Sequence, residues 1–149
     1  MKDEQIKINI VSVKLVKEEK SLYCKITKPL DVVKVIKQLI GDKDREYLLV
    51  ICLNVRNEIN NISTVSIGSL NSSIVHPREV FKTAILSNSC SIILTHNHPG
   101  GSINPSNEDK NVTERIKEGG KILGIELLDH IIIGFDNPNY YSFKEHGII

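Results

Sequence analysis

No apolar run in the 149-residue sequence approaches the ~20 residues that a membrane-spanning helix needs, so such a helix is excluded and no membrane partner is expected. Cysteine is scarce. Cys24, Cys52 and Cys90 are an odd number, far apart, with no C-x-x-C pair. Cys52 in "LLVICL" and Cys90 in "SNSCSIIL" read as small buried apolar residues, and a cytoplasmic, reducing location fits best. Net charge is nearly absent: the formal value is +1, so charge alone argues for neither a nucleic-acid nor a membrane-surface ligand. The N-terminus, "MKDEQIKINI", mixes both charge signs and lacks the features of a signal peptide. No repeat, low-complexity tract or linker divides the chain, so one domain over 1–149 is expected, with a core over about 27–149.

The residues present suit a globular fold. Hydrophobic residues make up 40% and charged residues 25%, the balance of a chain that buries a core rather than of a disordered one. "INIVSVKLV" (8–16) alternates with Val11, Val13 and Leu15 on one side, which predicts a β-strand. "TKPLDVVKVIKQLIG" carries Val32, Val33, Ile36, Leu39 and Ile40 at helical spacing between Pro29 and Gly41. "EYLLVICLNV" (46–55) is almost wholly apolar, as a strand buried on both faces must be, and "RNEIN" turns it into "NISTVSIG" as a hairpin. A helix follows over 76–88, then a strand in "CSIILTHNH". Next comes a helix in "SNEDKNVTERIKEGGKILG" expected to stop around Gly119-Gly120, then strands in "IELLDHIIIG" and at the start of "YYSFKEHGII". The order β-α-β-β-α-β-α-β-β predicts an α/β domain: a single mixed β-sheet with packed helices.

The densest chemistry lies in "ILTHNHPGGSINPSNED", residues 93–109. His96 and His98 stand two apart at the end of a strand, so both side chains point to one face. The glycine-rich loop lets the chain fold back over that face. It re-enters at Ser106, a natural N-cap, with Asp109 three residues on in the first turn of the helix. Two imidazoles and a returning carboxylate make three protein ligands for a tetrahedral Zn2+, the fourth position being left to water. Zinc lowers the pKa of such a water to about 7, which suits hydrolysis of amides and esters. A simpler reading stands beside it. Ser106-x-x-Asp109 resembles a capping box and "NHPGGS" a turn, and neither requires a metal.

"THNHPGGSINPSNED" followed by "GIELLDHIIIG" resembles the RadC family of the JAMM/MPN-type metalloproteases. The family pattern is an upstream Glu, then H-x-H, seven residues and S-x-x-D. Here it runs His96-Asn97-His98, seven residues, Ser106, Asp109. "GSLNSSIVHPREVFKTAI" and the "YYSFKEHGII" ending extend the resemblance over nearly the whole chain from about Val11. It implies a JAMM/MPN, cytidine-deaminase-like architecture, with Zn2+ on His96, His98 and Asp109. Many JAMM proteases carry Ser or Thr between the histidines. Asn97, common in RadC-like proteins, stands there in this chain. Longer RadC proteins also carry an N-terminal helix-hairpin-helix region that this sequence lacks, so direct binding of duplex DNA is not expected of it.

The resemblance also implies roles for other residues. The JAMM proton-shuttling Glu lies at the start of the strand after the first helix, where Glu46 stands. Its competitor is Glu58 in "VRNEIN", which reads as a hairpin-turn acid. Ser106 matches the serine that stabilises the oxyanion, and a helix cap alone is the other reading of it. His130, alternating with Leu128 and Ile132, reads first as a core residue and second as a contact to a zinc ligand. His76 and His146 read as a helix-start residue and a surface group. Lys14, Lys17 and Lys20, broken by Glu18 and Glu19, read as a solvated face. Two functions follow. The first is a zinc-dependent metallopeptidase (a hydrolase) cleaving a peptide or isopeptide bond of an unidentified peptide or protein substrate. The second is a DNA-repair or DNA-metabolism accessory protein whose metal site is structural or vestigial.

Overall fold

A computed structural model describes residues 11–16, 24–71 and 75–149. Helix α1 (Pro29–Ile40) starts where Pro29 pre-sets the backbone dihedral. Asp31 accepts bonds from the Thr27 and Lys28 amides and the Thr27 hydroxyl, closing the first turn. Strand β1 (Tyr47–Leu53) is buried from Leu48 onward. It turns through Asn54–Asn57 into β2 (Ile59–Ile67). The turn is closed by the Asn54 side chain, whose oxygen accepts from the Arg56 and Glu58 amides. Then come α2 (Pro77–Leu86), β3 (Ser91–His98), α3 (Asn107–Leu123), β4 (Glu126–Gly134) and β5 (Tyr140–Ser142).

The sheet order is β2-β1-β3-β4-β5. Only β3 and β4 pair in parallel, because α3 crosses between them; the other neighbours are antiparallel. Alternate residues feed two cores. Val32, Val33 and Ile36 of α1 pack with Ile51, Ile93 and Ile131 on one face. Val80 and Phe81 of α2 and Val112 and Ile116 of α3 pack with Val50, Ile92 and Leu94 on the other. The layers are therefore helix, mixed sheet and helix pair, the expected α/β class. From α1 onward every expected element is present in order.

Three expectations need correction. Residues 11–16 form no strand and leave Val11, Val13 and Val16 exposed; the rest of the expected 8–16 strand, residues 8–10, lies outside the described residues. Alternation makes a strand only when a partner supplies the ladder, and none pairs with 11–16 among the described residues. Lys17, Glu18, Glu19 and Lys20 also lie outside, whereas Lys14 is exposed as expected.

The second correction is to α3, which does not stop at Gly119-Gly120 but runs to Leu123. Its stop is Gly124, in the left-handed region at φ 69°, with its amide on the Gly120 carbonyl. The glycine pair serves packing instead. A Cβ on Gly120 would collide with the Ile125 carbonyl oxygen. Gly120→Ala is therefore expected to destabilise the domain by about 1–3 kcal/mol, read as a lower urea midpoint. An unchanged midpoint would contradict this packing role.

No helix among the described residues is long and apolar enough to cross a membrane. Cys52 is buried as expected, and burial pushes its thiol up to about 11. Cys90 is exposed instead of buried. It precedes Ser91, the first residue of β3, and so lies just outside the sheet interior.

Candidate metal centre

β3 delivers both histidines and α3 delivers the acid. Ile92 and Leu94 already place that face of β3 against α2 and α3, and the same period continues through His96 and His98. His98 sits where β3 ends; the amides of Gly101 and Phe135 both donate to its carbonyl, so the loop folds back at once. Ser106 then caps α3. Its hydroxyl accepts from the Asp109 amide at 3.0 Å, and the Asp109 carboxylate accepts from the Ser106 amide at 2.7 Å. The capping box exists, and it is also the device that aims Asp109 at the histidines.

His96 Nε2 and His98 Nε2 are 2.9 Å apart. Asp109 Oδ1 lies 3.2 Å from the first, and Oδ2 lies 3.5 Å from the second. Ligands about 2.0–2.2 Å from one ion in tetrahedral array stand roughly 3.3–3.6 Å apart; the two imidazole–carboxylate distances lie near that spacing, and the two imidazoles stand closer, at 2.9 Å. His96, His98 and Asp109 form the one such group among the described residues.

The proton arrangement supports the same reading. The Thr113 hydroxyl donates to the Asp109 carbonyl at 2.6 Å, so its oxygen accepts from His130 Nδ1 at 2.6 Å. Burial holds the His130 imidazole well below its ordinary pKa, with His96 adding to the effect, so the ring is neutral. Its Nε2 must then accept from His96 Nδ1, 2.8 Å away. His98 Nδ1 donates to the Ser102 carbonyl at 2.8 Å. Both Nε2 atoms are left with lone pairs directed at each other across 2.9 Å. Only a shared cation or an added proton relieves that arrangement. Without an ion, the proton goes to His98, whose pKa the Asp109 carboxylate raises; burial lowers that of His96. For Asp109, burial works to raise the carboxyl. The two imidazoles outweigh it and hold the group well below the carboxylate range.

His130 thus does both things expected of it. It is fully buried, stacked on Phe143, and it fixes the His96 tautomer. The sequence reading missed Thr113. Its signal was present, four residues after Asp109 on one helix face. Thr113→Val keeps the shape but leaves His130 Nδ1–H without its partner. We expect a loss of about 1–3 kcal/mol in stability and a 10–100-fold weaker metal affinity. Metal titration of this variant with wild-type affinity would contradict the relay.

Glu46 sits half-buried just before β1, whose Leu48 pairs with His96. Its Oε2 accepts from the Leu70 amide at 2.9 Å, and its charge acts on both His96 and His98. Glu58 is at the opposite end of the β1–β2 hairpin, bonded by Asn54 Nδ2 at 2.7 Å, and is not part of the centre. His76 precedes α2 as a helix-start residue. His146 is exposed and stacks on Tyr141, and neither histidine joins the centre.

The family described as RadC-like JAB domain matches residues 26–148. The chain belongs to the RadC family. Its RadC-like domain is 48% identical over 124 residues to a UPF0758 protein of Rubrobacter xylanophilus, covering 83% of this chain and 53% of the relative. UPF0758 proteins of Desulfitobacterium hafniense and Clostridium tetani are 52% and 55% identical over the same length, covering 83% of this chain and 54% of each relative. The chain thus spans about half the length of the curated relatives it matches. The JAB assignment is consistent with the α/β layering of three helices on a five-stranded mixed sheet.

Proposed function

We propose that this RadC-like domain is a metal-dependent hydrolase, a zinc peptidase acting on a peptide or isopeptide bond. The observation that carries the proposal is the convergence of His96 Nε2, His98 Nε2 and the Asp109 carboxylate within 3.5 Å, with both Nε2 atoms turned to the same point. Two imidazoles and a carboxylate, with no thiolate, form a borderline donor set that suits zinc and also accepts other first-row ions. When bound, such an ion polarises a carbonyl and lowers the pKa of a coordinated water toward neutrality.

The chain's own residues supply the rest. Glu46, held through Oε2 by the Leu70 amide, takes the proton of the attacking water and passes it to the leaving amine. The Ser106 hydroxyl oxygen is occupied by the Asp109 amide, so its own proton is free to donate to the developing oxyanion. Ser102 and His130, through His98 and His96, hold both rings in the tautomer that presents Nε2.

Digestion of an unbiased peptide library tests this reading. Protein carrying one zinc per chain should generate products, chelation should stop it, and added zinc should restore it. A fully loaded protein that cleaves nothing would defeat the proposal, and salt-dependent retention of DNA by that same protein would favour the accessory role. Acid should act on metal uptake itself. The proton that Asp109 draws to His98 competes with the ion, so affinity is full above the raised His98 pKa and is lost as pH falls through it. As pH falls through that raised pKa, titration calorimetry should show weakening affinity and proton release on binding; a flat profile would contradict it.

A further inference from the structure

The tripeptide His96-Asn97-His98 serves both faces of its strand. The histidines turn toward α3, so Asn97 turns to the α1 side, where its side chain is 2% exposed. There it meets the loop between α1 and β1. Asn97 Oδ1 accepts from the Tyr47 amide at 2.7 Å. Asn97 Nδ2 donates to the Arg45 carbonyl at 2.9 Å and to the Lys43 carbonyl at 3.5 Å. These bonds flank Glu46 on both sides. We infer that Asn97 is a positioning residue for Glu46: it pins the backbone on either side of that carboxylate to the strand that carries both histidines. The inference rests on the base role proposed for Glu46.

The chemistry explains why a carboxamide stands here. The loop presents an amide that needs an acceptor and two carbonyls that need donors. A carboxamide satisfies both; a hydroxyl is shorter, and an ionised carboxylate brings no donor. The Glu46 main chain is also held by its carbonyl, which accepts from the Gly68 amide at 2.8 Å, and its carboxylate by the Leu70 amide. The acid is thus fixed relative to β2 by those bonds and relative to the metal ligands by Asn97. Displacing a reacting group by about 1 Å costs roughly 10²-fold in rate. A change at Asn97 therefore acts on turnover through Glu46, with His96, His98 and Asp109 left as ligands.

Asn97→Ala and the isosteric Asn97→Asp test this, each alone and each combined with Glu46→Gln. Metal content should stay at the wild-type value. In Asn97→Ala the Tyr47 and Leu70 amides should exchange hydrogen at least ~10-fold faster than in wild type, because the loop has lost its anchor; in Asn97→Asp, which still accepts from the Tyr47 amide but donates to neither carbonyl, the same acceleration should appear at Leu70. With a peptide taken from the library digestion, kcat should fall roughly 10²-fold with KM little changed. On the Glu46→Gln background neither Asn97 change should lower the residual rate further, since both act through one group. A full additional loss on that background would overturn the inference, and so would unchanged exchange at the Leu70 amide. Should the zinc-loaded wild type cleave no peptide, the hydrolase reading fails by itself. Amide exchange and metal content then decide whether Asn97 anchors the loop. If Asn97→Ala does not fold, Asn97→Asp carries the same measurements.

Discussion

Asp109→Ala should abolish the metal-dependent stabilisation of the domain. An ion that binds only the folded state adds about 4 kcal/mol when free metal is 1,000 times Kd. In a domain of this length that raises Tm by roughly 8–16 °C. Asp109 supplies the one anionic oxygen pair of the centre, 3.2 and 3.5 Å from the two imidazoles. Without it two neutral rings remain, and the affinity loss should exceed the 10–100-fold expected for a supporting hydrogen bond. The α3 cap is only halved, because Ser106 still accepts from the residue-109 amide. The variant should therefore fold, bind no stoichiometric ion, and show the same Tm with and without zinc. A zinc-induced rise in Tm equal to the wild type's would remove Asp109 from the ligand set.

Glu46→Gln should separate holding the ion from using it. The substitution keeps size and the acceptor oxygen that takes the Leu70 amide, so loop and fold persist. It removes the basic lone pair, and hydrolysis should fall by about 10²–10⁴-fold while metal content stays unchanged. Cleavage at the wild-type rate would mean that the base lies elsewhere. Glu58 would not inherit the role, because it sits beyond Leu53, itself five residues or roughly 17 Å along β1 from Leu48, the residue that pairs with His96.

The sheet from β1 onward was legible because burial on one or both faces writes directly into residue pattern. Tyr47–Leu53 and Ser91–His98 are read from their apolar runs alone. The candidate metal-binding group was legible for a different reason: a strand period of two and an N-cap offset of three bring His96, His98 and Asp109 together without knowledge of the rest of the fold. Features that depend on long-range partners were not. Val11–Val16 alternates well but finds no ladder among the described residues. Gly119-Gly120 looks like a stop until Phe81 and the Ile125 carbonyl are seen against it. His130 sits in an apolar strand whose pattern says only that it is buried. Its bond to His96 follows from the parallel β3–β4 register, where the His96 partner is Ile132 and the Leu94 partner is His130. Thr113 completes that relay from a third element, and no local pattern in one segment contains all three.

X-ray absorption at the zinc edge, on the domain loaded with one equivalent, tests the ligand set most directly. The account predicts only nitrogen and oxygen neighbours at about 2.0–2.2 Å, with the outer-shell scattering of two imidazoles and no sulfur. Neighbours at about 2.3 Å would mean that a thiolate of Cys24, Cys52 or Cys90 holds the ion. That result, or a shell of water oxygens without imidazole, would contradict a centre built from His96, His98 and Asp109.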